Sequence, residues 1–82
     1  MTESRFFVYG RANCHFCTMA CDFLSAKQKE YMFFDHTKDS NFIEEIKNFY
    51  KSETVPVVLE NNYQTGVTTK IGGYTDLLEY LK

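Results

Sequence analysis

Two short aromatic runs, Arg5-Phe6-Phe7-Val8-Tyr9 and Tyr31-Met32-Phe33-Phe34-Asp35, dominate the first half of the chain. Neither alternates apolar with polar, and neither is long enough for a helix, so both read as buried strands. Gly10 closes the first. Between the runs, Thr18 to Lys29 has no Gly or Pro and is rich in Met, Ala, Leu, Lys and Gln, which predicts a helix. A strand, a helix and a second strand imply a right-handed crossover with the strands parallel. His36 to Ser40 is polar and turn-like, and Asp39 or Ser40 is suited to cap a second helix. Within that helix Phe42, Ile46, Phe49 and Tyr50 recur at helical spacing opposite Glu44, Glu45 and Lys47, so it should lay an apolar stripe on one face of the sheet. Val57-Val58-Leu59 is a third strand, with Pro56 at its head, where proline is tolerated. Glu60 to Ile71 suggests a hairpin, turning at Asn61-Asn62 or at Gln64-Thr65-Gly66 and returning along Val67 to Ile71. Gly72-Gly73 breaks the strand. Thr75 or Asp76 opens a last helix, Asp76 to Lys82, with Leu77, Leu78 and Leu81 as its apolar contacts.

The predicted order is βαβ, then α, then ββα. It describes an α/β protein with a four-stranded mixed sheet flanked by three helices, the layout of the thioredoxin fold. At 82 residues the chain is expected to be a single domain, residues 1–82, with one core. A hydrophobic share of 44%, with 17% aromatic, argues against disorder. The formal charge of −2 gives no electrostatic case for nucleic acid or an anionic membrane. No apolar run approaches a membrane span and Met1 to Arg5 has no signal-peptide core, so a cytoplasmic location is expected. A monomer is expected.

The chemistry concentrates in Cys14-His15-Phe16-Cys17, where the first strand gives way to the helix. Free N–H groups and the positive dipole end of a helix favour an anion, so a cysteine there loses its proton more readily. Cys14, at the mouth, is the candidate nucleophile. Cys17, one turn in, is the candidate resolving thiol. A structural zinc site needs four ligands, and beyond Cys21, His15 and His36 there is no second pair to complete it, so no metal is expected. A structural disulfide would close too small a loop to constrain the unfolded chain much. A redox dithiol fits best, and an odd count of three cysteines fits a secreted disulfide framework poorly. Cys21 lies a further turn along the helix. Side chains at i and i+4 run alongside each other rather than converge, so it is expected to be passive. Asp35 and His36, at a strand end, are expected to be solvated rather than catalytic.

Three stretches together resemble the glutaredoxins of the small dithiol class: Gly10-Arg11-Ala12-Asn13-Cys14-His15-Phe16-Cys17, then Thr54-Val55-Pro56, then Gly72-Gly73-Tyr74-Thr75-Asp76-Leu77. The resemblance implies a glutathione-dependent thiol–disulfide oxidoreductase with glutathione as co-substrate and no resident metal. Disulfide-containing or glutathionylated proteins are its implied targets, ribonucleotide reductase among those the family suggests. It also implies a role for each segment. Cys14 would form the mixed disulfide and Cys17 resolve it. Arg11 would meet the glycine carboxylate of glutathione. Phe16, in place of the usual tyrosine, would wall the groove. In the Thr54-Val55-Pro56 stretch, Val55 would offer its backbone to the cysteinyl part as an added strand, beside a cis Pro56. Thr75 and Asp76 would hold the γ-glutamyl end, Asp76 accepting its ammonium, with Gly72 and Gly73 letting the backbone pass closely; the resemblance also counts Gly73 and Tyr74 among the glutathione-binding residues.

Two other readings stay open: a thioredoxin-type donor served by a flavoenzyme reductase, and a carrier bridging an iron–sulfur cluster between two Cys14 thiolates and two glutathiones. The sequence also departs from the family in two places. Its dipeptide is His-Phe rather than Pro-Tyr, which bears on the redox potential, and its hairpin from Glu60 to Ile71 is extended.

Overall fold

The computed structural model describes residues 4–11, 13–35, 40–49 and 55–82, without the side chains of Ser40, Phe42 and Ile43. The elements run in the expected order: β1 (Ser4–Gly10), α1 (His15–Ala26), β2 (Tyr31–Asp35), α2 (Ser40–Phe49), β3 (Val57–Asn62), β4 (Thr68–Gly72) and α3 (Tyr74–Tyr80). One mixed sheet forms in the order β2-β1-β3-β4. β1 runs parallel to β2, pairing Phe6 with Tyr31 and Gly10 with Asp35, and antiparallel to β3, pairing Ser4 with Asn62 and Tyr9 with Val57. β4 returns antiparallel along β3, from Asn61–Thr68 to Val58–Gly72.

The continuous aromatic run of β1 follows from cover on both faces. Side chains alternate across a strand, so Phe6 and Val8 point one way and Phe7 and Tyr9 the other. Phe6 and Val8 join Val58 of β3, Ala20 and Leu24 of α1, and Leu77 of α3 in the larger core. On the opposite face Tyr9, Val57 and Leu59 pack with Phe7, Phe34, Val55 and Ile46 of α2. Tyr9 stacks on Phe34 at 4.8 Å between centroids, and Phe7 meets Phe34 edge-on at 5.9 Å.

The structure moves several expected boundaries. α1 ends at Ala26 rather than Lys29, because Gln28 takes a left-handed φ of 59° and the Lys29 N–H turns back onto the Leu24 carbonyl at 2.9 Å. The hairpin turns at the second of the two candidate sites. Asn62 anchors that turn: its carbonyl accepts the Gly66 N–H at 2.8 Å and its side chain accepts those of Gln64 and Thr65 at 2.9 and 3.0 Å. Gly66 fits it with a φ of 75°. The returning strand stops at the expected Gly72-Gly73, with Gly72 as its last residue, paired with Val58. α3 begins at Tyr74, two residues before the expected start, since Gly73 is its N-cap and Asp76 lies in its first turn. Of the stripe expected on α2, Ile46 packs against the sheet, but Phe49 is 75% exposed. Phe49 is the last residue of the helix. Phe42, as a side chain, and Tyr50 lie outside the described residues, as do Asp39 and His36.

Candidate active site

The strand pairing assembles the site. β1 and β3 are antiparallel with Tyr9 opposite Val57, so the end of β1 and the start of β3 share one edge of the molecule. β4 is antiparallel to β3, so its last residue, Gly72, arrives at the same end opposite Val58. Three segments distant in sequence are thereby brought together: the turn into α1, Val55-Pro56, and Gly72 to Asp76.

Cys14 is the N-cap of α1, with extended backbone (φ −90°, ψ 119°). Its Sγ accepts the Cys17 N–H at 3.4 Å, taking the place of the oxygen that Ser or Asp supplies in an ordinary cap. Its own N–H donates to the Arg11 carbonyl at 3.1 Å, and its carbonyl receives both the N–H and the hydroxyl of Thr18. Cys14 is half-buried, whereas Cys17 is wholly enclosed; both are free thiols, as is Cys21. Burial pushes the Cys17 thiol up to about 12, its hydrogen bond with Cys14 acting in the same direction and the Arg11 backbone N–H opposing. The room for this sulfur comes from Gly10, where a Cβ would run into Cys17 Sγ. The sequence offered Gly10 only as a strand end. Its nearest signal was its position immediately ahead of the motif.

Beside the helix start, Phe16, Val55, Pro56, Gly73, Tyr74 and Thr75 line a groove of about 170 Å³. Phe16 is 54% exposed, and its ring lies 6.0 Å from that of Tyr74 and 5.8 Å from that of His15. The Val55–Pro56 peptide bond is cis, as the resemblance implied. Asp76 Oδ2 accepts the Gly73 N–H at 3.0 Å, satisfying a donor that the start of α3 would otherwise leave open. Gly72 makes this possible, for it sits at φ 122° and a Cβ there would meet that carboxylate.

Six of the residues singled out from the sequence therefore share the groove, beside Cys14 and Cys17. Arg11 and Asp76 are exposed near the same end but do not line it. Thr54 lies outside the described residues. A larger cavity, of about 310 Å³, opens on the other flank of α1 between Cys17, Thr18, Cys21, Asp22, Tyr31 and Phe33. It does not include Cys14.

A thiol that caps a helix, with a second thiol buried one turn on and a mixed four-stranded sheet behind them, defines a thiol–disulfide oxidoreductase of the thioredoxin fold. The chain belongs to the glutaredoxin family: the family model Glutaredoxin matches residues 6–62. Solved glutaredoxins agree. The dithiolic glutaredoxin 2-C-Grx1 of Trypanosoma brucei brucei is 31% identical with a TM-score of 0.68, over 95% of this chain and 76% of that one. Reduced glutaredoxin of Escherichia coli is 25% identical, also with a TM-score of 0.68, over 94% and 92%. Glutaredoxin 1 of Francisella tularensis, solved as its cacodylate complex, shares the fold at 21% identity and a TM-score of 0.63, over 95% and 92%. No curated protein sequence matches the chain. Glutaredoxins use glutathione as a co-substrate.

Proposed function

We propose that this protein is a glutathione-dependent dithiol oxidoreductase that reduces glutathione mixed disulfides and protein disulfides. The thiolate of Cys14 attacks the glutathionyl sulfur of a mixed disulfide. An S–S bond forms between Cys14 and glutathione, and the substrate leaves as its thiolate. A second glutathione thiolate then attacks the glutathione sulfur, which releases glutathione disulfide and returns Cys14 to its thiolate. With a protein disulfide, Cys14 first bonds to one protein sulfur. The Cys17 thiolate then attacks Cys14 Sγ, expels the reduced protein, and leaves a Cys14–Cys17 disulfide for two glutathiones to reduce.

The observation that carries the reading is the groove of Phe16, Val55, Pro56, Gly73, Tyr74 and Thr75 running past the dithiol helix. An open trough with backbone at Val55 and a helix start at Gly73 suits an extended peptide with a carboxylate at its far end. In this reading Arg11 pairs with the glycine carboxylate, Asp76 with the γ-glutamyl ammonium, and Thr75 with the γ-glutamyl carboxylate. Tyr74, whose ring lies beside that of Phe16, walls the groove.

The test is reduction of a small glutathione mixed disulfide with glutathione and glutathione reductase as the only electron supply. Sustained turnover is expected. Turnover only when a thioredoxin reductase is supplied instead would overturn the proposal.

A further inference from the structure

The proposed chemistry leaves one thiol unused, that of Cys21. It sits one helical turn after Cys17, half-buried, and both residues line the cavity of about 310 Å³ between α1 and β2, Cys17 as part of its enclosed wall. Tyr31 and Phe33 of β2 close the far side, and Thr18 and Asp22 complete the rim. The two sulfurs are near enough that a charge on Cys21 opposes ionisation of Cys17.

A disulfide between them does not fit. Cβ atoms four residues apart on a helix stand about 5–6 Å from one another, and a disulfide needs about 3.5–4.5 Å. A metal ion between the sulfurs removes that limit. Two metal–thiolate bonds of roughly 2.3 Å, the zinc value, let the sulfurs stand up to ~4.6 Å apart. The identity of the ion follows from how few ligands there are. Zinc asks for four, and among the described residues no third His, Cys, Asp or Glu joins the pair in a cluster able to hold a metal. Two soft sulfurs in an aromatic-walled cavity match monovalent copper, which thiolates select and which is content with two ligands.

We propose that Cys17 and Cys21 form a binding site for a single Cu(I) ion, held between their two sulfurs in this cavity. Binding displaces both thiol protons to solvent and changes no oxidation state. Cys14 is not among the residues that line this cavity, and its sulfur takes no part in the site. With Cys17 occupied, the protein would retain the reactions that need one cysteine and lose those that need two. That last consequence rests on the roles proposed above; the binding itself does not.

The test uses reduced protein under argon, with Cu(I) offered as its bicinchoninate complex and the loss of that complex's visible absorbance followed. Cys14→Ser removes the C-x-x-C pair as a competing chelator and is expected to take up one Cu(I) per chain. Adding Cys21→Ser, or Cys21→Ala should the hydroxyl perturb the helix, is expected to weaken uptake at least hundredfold. A second measurement leaves Cys17 and Cys21 unmutated. In Cys14→Ser, one equivalent of Cu(I) should protect the half-buried Cys21 from alkylation, as read by mass spectrometry. No uptake by Cys14→Ser, undiminished uptake after loss of Cys21, or alkylation of Cys21 unaffected by copper would each overturn the proposal.

Discussion

Gly10 and Cys17 are fitted to each other: the buried sulfur lies where any side chain at Gly10 would be. Gly10→Ala should therefore overpack the site at a cost of about 1–3 kcal/mol, with Cys17 forced off its position. The urea midpoint of the reduced protein measures this. In a Cys17→Ala background the same glycine change should cost much less, since the clashing atom is gone. An equal cost in both backgrounds would show that the contact does not matter.

The burial of Cys17 also sets a pH dependence. Its folded value lies near 12 against 9.0 for the unperturbed thiol, chiefly through desolvation. The native state thus holds a proton that the unfolded chain releases between those values. The stabilisation is full below pH 9 and drains away toward pH 12, by up to ~1.4 kcal/mol per pH unit. Unfolding midpoints of reduced protein at pH 7, 9 and 10.5 should fall, and fall less steeply in Cys17→Ala. Cys21 is raised in the same direction by burial and by Asp22, and Tyr80 by its hydrogen bond with Glu60, so some slope will remain.

Asp76 has two jobs that one substitution can separate. Its carboxylate closes the start of α3 on the Gly73 N–H, and in the proposed function it also accepts the glutathione ammonium. Asp76→Asn keeps an acceptor oxygen for the cap but loses the charge. It should leave the unfolding midpoint nearly unchanged and raise KM for glutathione about ten- to hundred-fold, the worth of a charge-assisted hydrogen bond. Asp76→Ala should lose both, with about 1 kcal/mol off the stability. If glutathione kinetics are unaltered in folded Asp76→Asn, the binding role fails and the cap alone remains.

The cysteines should differ in the reactions they support. Cys14→Ser is expected to be inert toward every disulfide, because the covalent intermediate forms on that sulfur. Cys17→Ser should keep most of its deglutathionylation, where a second glutathione completes the cycle, and lose most protein-disulfide reduction. Parallel assays on a glutathionylated peptide and on a protein disulfide decide it. Loss of both activities in folded Cys17→Ser would mean that glutathione is not the natural thiol.

The elements of this fold are legible in the sequence because hydrophobic pattern reports cover. β2 was expected at Tyr31 to Asp35 and forms there, and β1 extends only one residue either side of the expected Arg5 to Tyr9. Element ends are less legible, since each is decided by a hydrogen bond or two. Asp76 could cap from the N-cap position or reach back from the first turn, and the residue letters are the same in both cases. α1 stops without a glycine to mark it, because Gln28 itself adopts the left-handed turn. The stripe on α2 was readable as a stripe, but periodicity cannot say how far the sheet reaches beneath a helix, and Phe49 stands at its end. At the site, the two cysteines and the groove residues were visible as motifs. The fit between Gly10 and Cys17, and the cavity shared with Cys21, depend on strand pairing and on Phe33 from the neighbouring strand, which no local pattern encodes.

The sheet order has a consequence for how the molecule breathes. β1 and β3 are the interior strands, each paired on both sides, while β2 and β4 are each paired on one. The two ends that carry the dithiol turn and Pro56 therefore hang from the strands whose amides should be the last to exchange with deuterium, and excursions that fray an outer strand need not disturb them. Partial opening from the rim would then be a motion the chain can undergo without letting go of its reactive sulfurs.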